Sequence, residues 1–514
     1  MFRNPVTRAI LLSSGSIPVQ RGATVDVTAK PDETKNDGSD SSLANGAKDV
    51  HLSLFRETFQ AFDVGEVIGL FPEGTSYTEP EIVQVKDGAA RVALEYARWQ
   101  LQHASSHGAY HDKPDGTKKL AIVPVGIVYT DKSHYQSRVR VEFGEPINVD
   151  AYTRSYLAAA GAQESRSVVR NLTAEIERRL RRLTINAPNW DTWFAARICR
   201  DIVWGGDSRI PIQAYTEISQ SYIERVSAAN MQQSARDTLI KYYALLQRTG
   251  ITHDTLTSVL PSQPSNAVDP IPTRLTTFCL FLRHLLSTVL HPSSILFIPS
   301  LVLHIPAYVA AGLGGHFLAT PDEEETKAQF KAVCGGVVYG ATAAVAGLKL
   351  TKALSDSSYV RCLLSSLPFG IHFERHETIG SVLGTAAVVY LTIWGIFGWY
   401  NKLVYGNYTR YTKLKASWKL LLGIFSPVSR DVSEEALEPY TRAMLPAPNP
   451  YIKRKPVEEP NSTISGEQKT SSTAAVQTKK TTRPPVACHR LIRHLLRARA
   501  RAEETVKELA LDRK

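Results

Sequence analysis

Glu73-Gly74-Thr75-Ser76 places one carboxylate, one permissive backbone position and two hydroxyls within four consecutive residues. Just before it, Val67, Ile68, Leu70 and Phe71 form a short apolar run rich in β-branched and aromatic residues, which reads as a buried strand. Pro72 ends that strand, because proline has no N–H for the ladder. The polar tetrad therefore sits in the turn leaving a strand, where α/β folds commonly meet their ligands. A second chemical feature lies upstream. Gly15-Ser16-Ile17-Pro18-Val19-Gln20-Arg21 reads as a strand from Ile17 that delivers Arg21 to a loop. An arginine there can grip a phosphate with its planar fork of donors.

The elements that must position these groups follow from periodicity. Residues 6 to 12 read as the end of a helix, closed by Ser13, Ser14 and Gly15. Apolar positions 52, 54, 55, 59 and 62 share one helical face leading into the strand before Glu73. Ala89 to Gln100 is rich in helix formers, and residues 101 to 119 form a polar loop. Leu120 to Tyr129 and Arg138 to Phe143 read as further strands of the same sheet. Residues 1 to 150 thus read as an α/β domain, a mixed sheet flanked by helices. Within it, residues 24 to 50 are rich in Asp, Lys, Ser, Asn and Gly and read as a disordered insert.

Residues 151 to 274 read as a helical connector. In it, Leu172, Ile176, Leu180 and Leu183 line one side of an amphipathic helix whose arginines form a solvated face. Helical sequence continues to about Thr249, before a Pro/Ser-rich linker from Pro261 to Pro272. A membrane region is expected over residues 275 to 403. Thr276 to Leu290 is interrupted by Arg283 and His284, and Ser293 to Leu313 contains Pro299, His304 and Pro306, so this pair forms a re-entrant hairpin or broken spans. Ala332 to Leu348, rich in Gly and Ala, suits close helix packing. Thr378 to Asn401 is uncharged, carries Trp394, Trp399 and Tyr400 near one end, and is the clearest transmembrane candidate. Lys402, Arg410, Lys413, Lys415 and Lys419 follow it and place that end in the cytosol. Residues 404 to 514 read as a basic, largely disordered tail. Within it Arg490 to Leu511 reads as a short basic amphipathic helix with Leu491, Leu495 and Ala498 on one side, either exposed and weakly ordered or touching anionic lipid or another helix.

Composition narrows the function classes. A chain of 514 residues is about three domains' worth and can bury a sizeable core. The formal charge of +11 suits an anionic partner. With apolar spans present, an anionic membrane surface and phosphate-bearing substrates are favoured over nucleic acid. No zinc-type cysteine spacing or nucleic-acid motif occurs. The five cysteines (Cys199, Cys279, Cys334, Cys362 and Cys488) are widely spaced and odd in number, which argues against a disulfide framework.

The blocks around Arg21 and Glu73, together with Val123-Pro124-Val125-Gly126-Ile127, occur in an order that resembles the glycerol-3-phosphate/lysophosphatidate acyltransferase family. Val141-Glu142-Phe143-Gly144-Glu145-Pro146-Ile147 agrees with this. The run Leu183-Thr184-Ile185-Asn186-Ala187-Pro188-Asn189-Trp190 resembles its fungal glycerol-3-phosphate/dihydroxyacetone-phosphate branch. The resemblance covers roughly residues 4 to 205. It implies transfer of a fatty acyl group from acyl-CoA, as co-substrate, to glycerol 3-phosphate or dihydroxyacetone phosphate, with no metal or bound cofactor. It implies that Arg21 binds phosphate, that Glu73, Thr75 and Ser76 surround the glycerol end, that Gly74 lets the backbone approach, and that Lys86 adds positive charge near the phosphate. A multi-pass location in the endoplasmic reticulum membrane is implied too. Lysophosphatidate remains open as the acceptor, and oligomeric state is not read.

One part of the implied chemistry is out of place. The family's general base is a His followed five positions later by an Asp, just before the arginine block. Here no histidine precedes His51. His107-Gly-Ala-Tyr-His-Asp112 has the spacing but lies beyond the Glu73 block in a polar loop, and we read it as a chance match. The expectation is therefore either an N-terminally incomplete chain or a variant that binds substrate without turning it over, a non-catalytic membrane protein with a glycerol-phosphate-binding module.

Overall fold

The computed structural model describes residues 55–106, 119–132, 137–159, 161–228, 233–261, 270–319, 324–356, 379–446 and 486–509, together with Ser13, Asn449 and Ile452. The expected helix end at 6–12, the strand at Ile17, the insert at 24–50, most of the linker after Pro261 and the middle of the tail lie outside these residues. The chain divides into two compact units, one drawn from Met1–Thr75, Gln84–Gly126 and Glu142–Leu183, the other from Ser76–Val83, Ile127–Val141 and Thr184–Lys514.

The first unit is organised on α2 (Gly88–Ser106), which is buried on two faces. Ala90, Ala93 and Leu94 meet Tyr156 of α3 (Asp150–Ala158) and Val169, Leu172 and Ile176 of α4 (Ala162–Leu183). Val92 and Tyr96, on the other face, pack with Trp99 against Phe55, Phe59 and Phe62 of α1 (residues 55–64). The expected stripe on α4 is therefore the buried one. Arg181 pairs with Glu177 at 3.0 Å and keeps the opposite face charged, whereas Arg179 pairs at 2.8 Å with Glu175, which is buried beside the stripe. Tyr156 donates to Glu95 at 2.5 Å, and burial, then that carboxylate, pushes its phenol up to about 12.

The sheet is smaller than expected. β1 (Ala121–Ile122) pairs antiparallel with β4 (Ile147–Asn148), Ala121 opposite Asn148 and Ile122 opposite Ile147. β2 (Val125–Tyr129) pairs with β3 (Val139–Phe143), and these two strands carry the chain between the units. The expected strand Leu120–Tyr129 is split because Pro124 has no N–H to give, while its carbonyl accepts from Gly144 at 2.8 Å. The expected buried strand at Val67–Phe71 is not formed. No strand among the described residues lies beside it, and Val67 and Phe71 remain 98% and 86% exposed. A β-branched, aromatic run becomes a strand only when another strand takes its backbone bonds.

The second unit has a helical core. It is built by α5 (Trp190–Trp204), α6 (Tyr215–Ser227), α7 (Gln233–Thr249) and α8 (His253–Val259). Asn189 caps α5 by accepting from the Thr192 N–H at 2.8 Å, and Gly205 closes it with φ of 73°. In the first unit, α3 and α4 complete the core around α2, so its packing continues past residue 150 to Leu183.

Four long helices follow: α9 (Arg274–Val289), α10 (Pro292–Phe317), α11 (Glu324–Asp356) and α12 (Ile379–Phe425). Among the described residues, Pro292–Phe317 and Thr326–Ala353 are long and apolar enough to cross a membrane by length and composition, with mean hydropathy of 1.8 and 1.5. The expected interruption of Ser293–Leu313 is not seen, for α10 continues through Pro299 and Pro306. From Ile379 onward, the expected span to Asn401 lies in the 47-residue α12, which runs past the expected boundary at 403. At 1.5 Å per residue α12 is about 70 Å long, more than twice a hydrocarbon core of about 30 Å. Its last turns leave any span, and Ala416, Leu420 and Ile424 enter the helical core of this unit.

The described parts of residues 404–514 are not the loose tail expected. After α13 (Glu434–Thr441), α14 (Ile492–Glu508) buries Ile492, Leu495, Leu496, Ala498, Ala502 and Val506 in the same core. The face around Leu491, Leu495 and Ala498 is thus a packing face, closed by partners far away in sequence.

Candidate active site

The turn at Glu73 is held by its own backbone. The Gly74 N–H donates to the Phe71 carbonyl at 3.1 Å, and the Lys86 N–H to the Pro72 carbonyl at 2.8 Å. The Gln84 side chain donates Nε2 to the Glu73 carbonyl at 2.9 Å. These bonds bring the segment before α2 back against the turn and explain why Lys86 is found there. Gly74 has φ of +75°, a conformation that favours glycine, and a Cβ on it would lie 2.5 Å from Lys86 Nζ and 2.7 Å from Cδ. The lysine stem therefore crosses the bare backbone of Gly74.

Of the expected site residues, the structure brings Glu73, Gly74 and Lys86 together, with Thr75 next in the chain. Glu73 and Thr75 are half-buried, whereas Gly74 and Lys86 are exposed. This is a carboxylate and an ammonium presented at one solvent-accessible turn, able to hold hydroxyl and phosphate groups respectively. Ser76 begins the other unit. Its residue is exposed and its carbonyl accepts from Asn449 Nδ2 at 2.6 Å. Arg21 lies outside the described residues, as do His107 and Asp112. No cluster of three metal-ligating side chains occurs among the described residues.

The chain that leaves the turn is anchored within the second unit. The Ile82 N–H donates to Asn186 Oδ1 at 3.1 Å, and the Ala187 N–H donates to the Pro80 carbonyl at 2.9 Å. Asn186 in turn donates Nδ2 to the Thr184 carbonyl at 3.1 Å. Tyr77, 7% exposed, accepts from the Val83 N–H at 3.1 Å and closes the loop on itself. The Ile185-Asn186-Ala187 run therefore supports the segment following the polar tetrad. Asn186 and Ala187 had entered the sequence reading only through resemblance. Asn449 carried no local signal at all, being 373 residues from its partner.

Residues 1–128, which contain this turn, match the family model described as Acyltransferase. This region is an acyltransferase domain. The chain is similar to "Glycerol-3-phosphate O-acyltransferase 2" of Saccharomyces cerevisiae, 31% identical over 171 residues, 33% of this chain and 20% of the relative. It is similar to "Glycerol-3-phosphate O-acyltransferase 1" of the same yeast, 25% identical over 180 residues, 35% of this chain and 21% of the relative. An uncharacterized acyltransferase of Schizosaccharomyces pombe is 29% identical over 147 residues, 29% of this chain and 19% of the relative. The chain thus spans about a fifth of the length of the curated relatives it matches. No solved structure matches. The resemblance to glycerol-3-phosphate acyltransferases read from the sequence is supported, and the acyltransferase domain contains the Glu73 turn and Lys86.

Proposed function

We propose that the chain works in acyl transfer from acyl-CoA to glycerol 3-phosphate, with dihydroxyacetone phosphate as an acceptor of the same class. The observation that carries this reading is the turn joining Glu73, Gly74 and Lys86 inside a region that matches acyltransferases. In the reaction the acceptor hydroxyl attacks the thioester carbonyl, the CoA thiolate leaves, and the hydroxyl proton passes to a base. Arg21 grips the phosphate, Lys86 adds charge beside it, and Glu73, Thr75 and Ser76 hold the glycerol end over the bare backbone of Gly74. The chemistry needs no metal or resident cofactor. The apolar helices α10 and α11 anchor the chain in the bilayer of the endoplasmic reticulum, in a multi-pass arrangement with the acyltransferase domain in the cytosol.

A second reading is a glycerol-phosphate-binding module that does not turn over. Both readings require the phosphate grip. A charge-assisted hydrogen bond contributes about 1.5–3 kcal/mol, so Arg21→Ala is expected to weaken glycerol 3-phosphate binding roughly ten- to a hundredfold. Arg21→Lys recovers only part, since a point charge replaces a planar fork. Calorimetric titration reads this without turnover, and an Arg21→Ala chain that binds as tightly as the parent moves the phosphate site to Lys86.

A further inference from the structure

We propose that the second unit holds a separate oxyanion site, a small pocket between α5 and α6 in which Arg197 and Arg200 take the phosphate of a small phosphomonoester. The pocket has a volume of about 60 Å³, and its lining includes Tyr129, Thr130, Trp193, Arg197, Arg200 and Tyr215. By the same measure a single water needs about 10–15 Å³, so the space takes roughly four to six water-sized groups. That admits a tetrahedral oxyanion. Tyr129 is 45% exposed and the Arg197 side chain 27%, so the pocket is reached from solvent.

The two arginines are differently committed. Arg200, 4% exposed, donates to Ser219 Oγ at 2.6 Å, to Asp201 Oδ1 at 3.1 Å and to Asp207 Oδ1, with its guanidinium 4.8 Å from the Tyr215 ring centre. Its Nε is buried with no partner among the described residues. A buried donor left unmade costs about 1–3 kcal/mol, so this N–H calls for an acceptor. Arg197 lies over the Trp193 ring at 5.1 Å and faces Asp207 Oδ2 at 3.5 Å. It makes no hydrogen bond among the described residues, which leaves its planar fork available to an incoming oxyanion.

The local charge favours the same ligand. Arg138 spends its guanidinium on the carbonyls of Ile210, at 2.9 Å, and Asp207. Three guanidiniums then face two carboxylates, Asp201 and Asp207. Burial pushes Asp201 up to about 6, against the pull of Arg200. A phosphate bound in a fork-to-oxygen geometry on Arg197, beside Arg200, supplies the missing charge.

The test titrates inorganic phosphate onto the detergent-solubilised full chain carrying Arg21→Ala, which removes the acceptor grip and separates the two proposals. Phosphorus-31 line broadening and tryptophan fluorescence are the readouts. Saturable binding is expected, at least tenfold weaker once Arg197→Met is added and partly restored by Arg197→Lys. Affinity unchanged by Arg197→Met overturns the proposal. If Arg197→Met fails to fold, Trp193→Phe decides, because a fluorescence change on binding must disappear with that indole and its persistence places the ligand elsewhere. Glycerol 3-phosphate and coenzyme A are then added as competitors, and the one that displaces phosphate names the source. Displacement by neither overturns the assignment to a phosphomonoester.

Discussion

The purified 514-residue chain is expected to transfer acyl groups to glycerol 3-phosphate about 10²–10⁴-fold more slowly than a relative that carries the His/Asp pair. On the proposed reading the Glu73 turn still binds and positions the acceptor, but a hydroxyl attacks a thioester poorly until its proton has somewhere to go. The first histidine, His51, follows Arg21 in the chain, and His107 lies beyond the whole Glu73 block. Release of coenzyme A in the presence of both substrates reads the rate. Turnover near that of an intact relative contradicts the expectation and makes His107 and Asp112 the first pair to mutate.

Replacing Arg493 by alanine is expected to destabilise the second unit by about 3–5 kcal/mol, the cost of leaving a buried charge without its partner. Arg493 is 7% exposed and meets both oxygens of Asp431, at 2.9 and 2.7 Å. Its other nitrogen donates to the carbonyls of Ile424 and Ser426, at 3.0 and 2.6 Å. One side chain therefore pins α14 to the end of α12, where the last carbonyls of that helix need donors. Melting temperature and trypsin cleavage after the arginines of α14 provide the check. A variant with the parent's melting point and the parent's resistance to cleavage contradicts this role.

That lock also marks where sequence reading stops. The stripe of Leu172, Ile176 and Leu180 was legible because helical periodicity is local and amphipathic. So was the face of Leu491, Leu495 and Ala498, yet its burial was not, because the groups covering it lie on α7 and α12. Arginine in a basic, Pro-rich stretch reads as solvated until Asp431, 62 residues away, is found to pair with it. Val67–Phe71 fails in the opposite sense, since its strand character is real in composition but needs a neighbour to express it. At the site, the Glu73 turn and Lys86 were legible from the motif and chain order. The support from Asn186 and Asn449 was not, because single hydrogen bonds between distant segments leave no pattern in the sequence.

The central claim is that this chain binds a glycerol phosphate through an acyltransferase-type grip. Titrating glycerol 3-phosphate onto the unmodified, solubilised chain, with glycerol and dihydroxyacetone phosphate as competitors, tests it most directly. The account predicts saturable binding that dihydroxyacetone phosphate displaces and glycerol does not, because the phosphate supplies the charge-assisted bonds. Absence of saturable binding, or displacement by glycerol as readily as by dihydroxyacetone phosphate, contradicts it.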